Sequence, residues 1–285
     1  MFSPASTARN SPAPVPASAH GPTPSFSEVS GRYRVRFAHT EEEIAAACRL
    51  RFEVFNLELG EGLASAHLTG EDRDPFDASC QHLIVESLPD GIGSLRAGGR
   101  APVVVGTYRL QTAATARASK TGFYSDEIFD LSTLPSSMLE DSVELGRACV
   151  RRDHRNRRTL FLLWRGLAAY VLWHNKRWFF GCNSMSTESH LEGQRMMSYL
   201  ERHGHVHAGL KVEPQEGYRC TGRAGSQLED QFTQEIPSLF GIYLRYGAKV
   251  CGPPAHDWRF HTVDFLTVVD LHEMDERTFQ NFAAH

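Results

Sequence analysis

The chain has 285 residues, 41% hydrophobic and 22% charged, with a formal net charge of −4. That is enough length and apolar content for a sizeable core, and the absence of a basic excess argues against bulk nucleic-acid binding. The start of the chain lacks a secretory pattern and no run of about 18 apolar residues occurs, so a cytoplasmic location is expected. Cys48, Cys80, Cys149, Cys182, Cys220 and Cys251 are widely spaced, form no CxxC pair and mostly sit in apolar runs, which predicts neither a disulfide framework nor a thiolate zinc site.

Residues 1 to about 30 are rich in Pro, Ser and Ala and read as a disordered tail, because they have too little apolar surface to offset ordering. Tyr33, Val35 and Phe37 alternate with arginines, the two-residue period of a half-buried strand. Thr40 and Glu43 have capping-box spacing and open a helix expected to run through about Asn56. Strands are predicted over residues 82–86 and 103–110, joined as a hairpin by a Gly-rich stretch over residues 90–100. A strand over 143–150, a helix over 159–174 and a strand over 178–182 form a β–loop–α–β unit, which implies one parallel pair. A helix capped by Ser186 or Thr187 follows to about His203. Then come a helix over 238–246, a strand over 262–269 and a short amphipathic helix from about His272. The sum is an α/β fold with a mixed sheet: the tail, then one extended domain over 31–285.

Several charges interrupt runs that should otherwise be buried, and buried charge persists where it is paired or used. Arg51 lies between Leu50 and Phe52, Asp74 and Asp77 flank Pro75-Phe76, Arg109 sits in the strand over 103–110, and Glu144 and Arg147 share the strand over 143–150. Straight alternation sends Glu144 and Arg147 to opposite faces, so they share one only if the strand bulges. Gly146 is the expected place. A bulge here would splay the strand from its parallel neighbour and open a ligand slot. A structural ion-pair network is the alternative for these charges.

The turn at 151–158 holds five arginines, Arg151, Arg152, Arg155, Arg157 and Arg158, just before a helix amino terminus at Thr159. A phosphate or an acidic partner protein is the natural counterpart; a solvated charged loop is the alternative. His203, His205 and His207 alternate, yet nearby Gly204 and Gly209 favour a loop over a metal site, and no metal is expected. Trp164, Trp173, Trp178 and Phe179 read most simply as core, with the lining of an acyl tunnel the alternative for some of them.

The runs "CRLRFEVFNLELGEGL", "DRDPFD", "VVGTYRLQT" and "ELGRACV" resemble the amino half of acyl-homoserine-lactone synthases. With "LFLLWRGLAAYVL", "GCNSM" and "IPSLFGIYLRYGAKVCGPP…DFLTVVDL", the chain from about 33 to 270 is similar to bacterial ornithine N-α-acyltransferases and long-chain N-acyl amino acid synthases. The resemblance implies a GCN5-related N-acetyltransferase-like mixed sheet flanked by helices, with a carboxyl-terminal extension. It also implies a long-chain acyl group, with or without a 3-hydroxyl, moving from a thioester to the α-amine of an amino acid, ornithine first. By motif position, Arg51, Phe52, Asp74, Asp77, Arg109, Glu144 and Arg147 match the family's charged residues and aromatic. Asn156, Arg157, Arg158 and Thr159 stand where the broader acetyltransferases have pyrophosphate-loop glycines. That departure favours acyl-phosphopantetheine on acyl carrier protein over acyl-CoA as donor, with no permanently bound cofactor.

On this reading Glu144 takes the amine proton, directly or through a water, and backbone N–H groups near Cys149 and Val150 hold the thioester oxygen. Arg51, Arg109 or Arg147 clamps the acceptor carboxylate, while Asp74 and Asp77 meet a side-chain amine or orient the arginines. Arg155, Arg157, Arg158 and Thr159 receive the donor phosphate and its acidic carrier. A membrane-seeking product is compatible with peripheral membrane contact, through the carboxyl-terminal helix or residues 173–180. The rival readings are a homoserine-lactone synthase, a non-catalytic carrier-binding module and an ordinary CoA acetyltransferase.

Overall fold

The computed structural model describes residues 23–89, 101–221 and 236–283. Most of the predicted tail and the Gly-rich connection over 90–100 lie outside the described residues. The strands are β1 Ser27–Ser30, β2 Tyr33–Phe37, β3 Gln81–Ser87, β4 Val103–Thr112, β5 Ser142–Val150, β6 Trp178–Met185, β7 Lys249–Val250, β8 Ala255–Asp257 and β9 Thr262–Asp270. The helices are α1 Glu41–Arg51, α2 Ala66–Thr69, α3 Ala113–Ala118, α4 Ser136–Glu140, α5 Arg157–Trp173, α6 His190–Arg202, α7 Ser238–Arg245 and α8 Glu276–Ala283. The strands form one sheet in the order β1-β2-β3-β4-β5-β6-β9-β7, with β8 also on β9. Every pairing is antiparallel except β5 with β6, the parallel pair expected from the β–loop–α–β unit.

Alternation along the strands divides the core. Leu83, Val85, Val143, Leu145, Phe179 and Phe265 face a large cluster built with α5, α6, α7 and α8. On the other face Cys149 packs with Leu50 and Val54 of the α1 segment, and Phe180, Leu266 and Val268 pack under the segments around Leu131 and Val212. The helix α5 touches the first face so closely that a Cβ on Gly166 would meet the Leu83 side chain at 2.4 Å.

Local corrections have identifiable causes. Residues 27–30, read as tail, form β1 along β2, where Glu28 pairs with Arg165 at 2.7 Å. The helix opened by the Thr40/Glu43 capping box keeps α-geometry only to Arg51, then continues as a wider π-helix over Phe52–Leu59, ended by Gly60 with φ 73°. The cap of α6 is Ser189, which accepts from the Glu192 N–H at 3.3 Å. Thr187 instead accepts from the Ser189 N–H in the preceding turn. The amphipathic α8 turns its apolar side inward: Phe282 stacks on Trp164 with ring centroids 5.3 Å apart, and its carbonyl accepts from Arg165. That face is therefore not free for a membrane, whereas Leu172 and Trp173 remain exposed at the end of α5, Trp173 against the expectation that it lies in the core. No helix among the described residues is long and apolar enough to cross a membrane.

Candidate active site

The predicted bulge lies in β5. Across β4, Thr107 faces Cys149 while Arg109 faces Gly146, so β5 carries one residue more than its partner. Arg147, not Gly146, takes up the extra residue: its φ is 48°, in the left-handed region, at a cost of roughly 1–2 kcal/mol. As a result Leu145 packs on the α5 face and Cys149 on the α1 face, and Arg147 reaches the same face as Glu144 and Arg109. Pairing with β6 extends only from Ser142 to Glu144, opposite Trp178 to Phe180. The two strands then separate. Gly181 marks the point of separation, since a Cβ there would lie 2.2 Å from the Leu145 carbonyl oxygen.

The separation opens a slot of about 270 Å³. Leu145, Phe179, Leu239, Phe240, Tyr243 and Val269 supply an apolar wall. Arg109, Arg147, Glu61, Ser184 and Asp264 supply the polar positions. The Arg147 guanidinium lies between the rings of Phe55 and Phe260, 4.4 and 4.6 Å from their centroids, and donates to Asp72. Its Nε is buried without a partner, as is Arg109 Nη2.

Beneath the slot runs a chain of buried charges. Asp74 meets Arg109 at 2.6 Å, Arg109 reaches Asp77 at 3.2 Å, Asp77 takes both arms of Arg51 at 2.6 and 2.9 Å, and Asp72 bridges Arg51 to Arg147. Burial alone would push Asp72 and Asp77 up. The arginines outweigh it and hold both carboxyls below the usual carboxylate range. Arg51 is fully buried with its fork filled by Asp77, so it supports the slot from below and does not line it. Phe52 likewise lies outside the slot, edge-on to His67; Phe55, three residues later, takes the lining position. Asp72, inside the "DRDPFD" run, joins this chain although no single feature of the sequence distinguished it.

Glu144 shares a face of β5 with Arg147 but does not line the slot. Its carboxylate accepts from the backbone N–H groups of Ser125 at 2.7 Å and Tyr124 at 3.1 Å, fixing the turn that presents Tyr124 to the slot. Burial pushes its pKa up despite these donors. Glu144 also lines a small cavity of about 10 Å³ with Arg109, Tyr124, Leu145 and Gly146, all four of which line the slot as well. Two slot carboxylates were not singled out from the sequence. Asp264 interrupts the apolar β9 and accepts from the Thr262 hydroxyl at 2.9 Å. Burial, reinforced by Asp257, raises it to about 7. Glu61, just past Gly60, is raised by burial too, and its Oε1 is buried without a partner.

At the donor side, Arg151 donates to Val105 O at 2.8 Å and Gly106 faces Val150. The antiparallel alternation therefore turns the Cys149 N–H to β4 and the Val150 N–H toward the β6 side. The α5 amino terminus is not bare: Asn156 Oδ1 accepts from the Arg158 and Thr159 N–H groups at 3.0 and 3.1 Å. Arg155 grips Glu58 with both arms, at 2.6 and 2.7 Å, and Arg151 pairs with Glu53. Arg152, Arg157 and Arg158 are exposed and form no salt bridge among the described residues. His207 Nδ1 accepts from Gly209 and Leu210 N–H groups in a loop. No group of three His, Cys, Asp or Glu among the described residues is placed to hold a metal ion.

The acetyltransferase (GNAT) domain model matches residues 50–165, the stretch from α1 through the first half of α5. The protein is an N-acyltransferase with a GNAT-like α/β fold, its mixed and mostly antiparallel sheet flanked by helices. L-ornithine N(alpha)-acyltransferase of Rhodobacter capsulatus is 32% identical over 86% of this chain and 92% of its own, and that of Rhizobium meliloti is 31% identical over 90% and 88%. The chain belongs to the L-ornithine N(alpha)-acyltransferase family. Similar solved structures include the AHL synthase LasI, 13% identical, covering 89% of this chain and 95% of that one, with a TM-score of 0.47. Another is FeeM, an N-acyl amino acid synthase from uncultured soil microbes, 10% identical over 86% and 95%, with a TM-score of 0.46.

Proposed function

We propose that this enzyme transfers a long-chain fatty acyl group, including 3-hydroxylated chains, from the phosphopantetheine of acyl carrier protein to the α-amine of ornithine. The observation that carries the reading is the slot between β5 and β6, apolar along one wall and crossed by Arg147, in a chain that matches L-ornithine N(alpha)-acyltransferases over 82% to 92% of their length. The acyl chain lies along Phe179, Phe240, Tyr243 and Val269, and burial of its methylenes contributes about 0.8 kcal/mol each. Arg147 and Arg109, through their unpartnered Nε and Nη2, receive the acceptor carboxylate. Asp74 holds Arg109 in place, while Arg51 and Asp77 set the platform beneath.

The α-amine attacks the thioester carbonyl, a C–N bond forms, and the C–S bond then breaks. The proton lost by the amine replaces the acyl group on the pantetheine sulfur. The Val150 N–H faces the developing oxyanion, and Cys149 keeps the strand in register behind it. Glu144 takes the proton through a water in the small cavity it shares with the slot's lining residues; its raised pKa suits that role. Arg152, Arg157 and Arg158 meet the acidic carrier, with Arg155 and Thr159 shaping the turn that presents them. Residues 31–285 act as one catalytic unit, and the product's apolar tail is consistent with peripheral membrane contact near Leu172 and Trp173.

The test is incubation with long-chain acyl carrier protein and a mixture of amino acids, with products read by mass. N-acyl ornithine is expected, formed faster from the carrier thioester than from the matching CoA thioester. A carrier preference that survives Arg152→Glu/Arg157→Glu/Arg158→Glu would remove the basic turn from donor recognition.

A further inference from the structure

Three carboxylates of the site have a cation, and Glu144 has two backbone N–H donors in place of one. Asp72, Asp74 and Asp77 are all paired with Arg51, Arg109 or Arg147. Asp264 and Glu61 are different. Asp264 is 2% exposed and bonded to the Thr262 hydroxyl, and no arginine, lysine or histidine forms a salt bridge with it among the described residues. Glu61 is half-buried, bonds Ser186 and feels the charge of Arg147, yet it forms no salt bridge among the described residues and its Oε1 is buried with no hydrogen-bond partner. Both line the slot, and they are close enough for the charge of Glu61 to disfavour that of Asp264. One buried and one half-buried carboxylate with no salt bridge to a cation are costly, and such an arrangement is kept where a ligand supplies the missing charge. The same slot carries unpartnered guanidinium N–H groups on Arg109 and Arg147.

We propose that Glu61 and Asp264 select the acceptor by binding its second, side-chain ammonium group, so that the slot is built for diamino acids. The slot then pairs the substrate's carboxylate with Arg147 and Arg109 and its distal cation with Glu61 and Asp264. The α-amine is the wrong partner for this pair, because it must be neutral to attack and an ion pair would hold it protonated. The side-chain amine keeps its charge throughout the reaction and loses nothing by being paired. The inference rests on the ornithine reading and adds to it the residues that discriminate.

The experiment compares ornithine with norvaline, which keeps the carbon chain and lacks the side-chain amine, using the wild-type enzyme, Glu61→Gln and Asp264→Asn. For the wild type, kcat/KM is expected to favour ornithine by at least about thirty-fold, the scale for removing one partner of a buried charge pair. In each variant that ratio falls about tenfold or more, through a higher KM for ornithine. Equal loss with both amino acids would overturn the proposal and make the two carboxylates structural or proton-transferring groups. A wild type that uses norvaline as well as ornithine would overturn it without any variant, so a poorly folded Asp264→Asn does not decide the matter. If the wild type makes no N-acyl ornithine at all, the functional reading itself falls.

Discussion

Arg51 directs three of its N–H groups at Asp72 and Asp77 and has no surface open to water. Removing one partner of such a buried set strands the others. Arg51→Ala is therefore expected to lower unfolding free energy by about 3–5 kcal/mol, measured by denaturant titration. A loss below about 1 kcal/mol would mean that the aspartates find other partners. Arg51, Asp74, Asp77, Arg109, Glu144 and Arg147 were legible in the sequence because each breaks an apolar run or brackets an aromatic one. Asp72 was hidden because Glu71 and Arg73 flank it, so nothing local marks it as buried. Asp264 carried the same signal as Arg109, a charge between Val263 and Phe265 in a strand, and that signal is the one by which it could have been found. What no local pattern states is which charges meet. Arg51 and Arg147 look alike in sequence, yet one is sealed under the slot and the other crosses it.

At the scale of the element, the departures from regular geometry lie close to the slot. The alternation of apolar and charged residues in 143–150 required a bulge to bring Glu144 and Arg147 to one face, and it is present. Its location at Arg147 rather than Gly146 reflects the contacts of the guanidinium with Asp72, Phe55 and Phe260, which offset the strained backbone. The π-helical winding after Arg51 was not legible, because the 3.6-residue period of an apolar face does not reveal a local switch to a wider turn. On β6, Gly181 lets the backbone approach Leu145. Gly181→Ala forces the strands apart and is expected to cost about 1–3 kcal/mol in unfolding free energy, together with most of the acyl-transfer rate. An unchanged unfolding midpoint would show that the strands absorb the extra methyl group.

For the molecule as a whole, opposing groups of carboxylates shape stability against pH. Asp72 and Asp77 have pKa values held below the unfolded value by arginines, so their contribution is present above about pH 4 and is lost as pH falls further. Asp264 has the opposite sign. Its folded pKa, raised by burial to about 7, lies above the unfolded value of about 3.9, so its contribution is present below about pH 4 and declines as pH rises to about 7. Asp264→Asn removes that decline. The variant is expected to gain on the order of 2 kcal/mol over the wild type at pH 8, with the difference shrinking toward pH 4, read from denaturant midpoints at both pH values. A variant that is less stable at pH 8 than at pH 4, relative to wild type, would assign Asp264 a low folded pKa.

By itself the sequence determined the two-residue and helical periods, the Thr40 cap, the parallel β–loop–α–β unit and the motif run that carries the family likeness. All of these are set by neighbours a few residues apart or by motifs in order. The tertiary structure decided the remainder: the β1 edge strand, which needs Arg165 to hold Glu28; the inward face of α8; and the pairing of Asp72 with Arg51 and Arg147. It also decided that Glu61 and Asp264, 203 residues apart in the chain, line one slot, each without a salt bridge among the described residues. Burial and partnership depend on residues distant in sequence, and a charge becomes costly or useful only once the fold has removed its water.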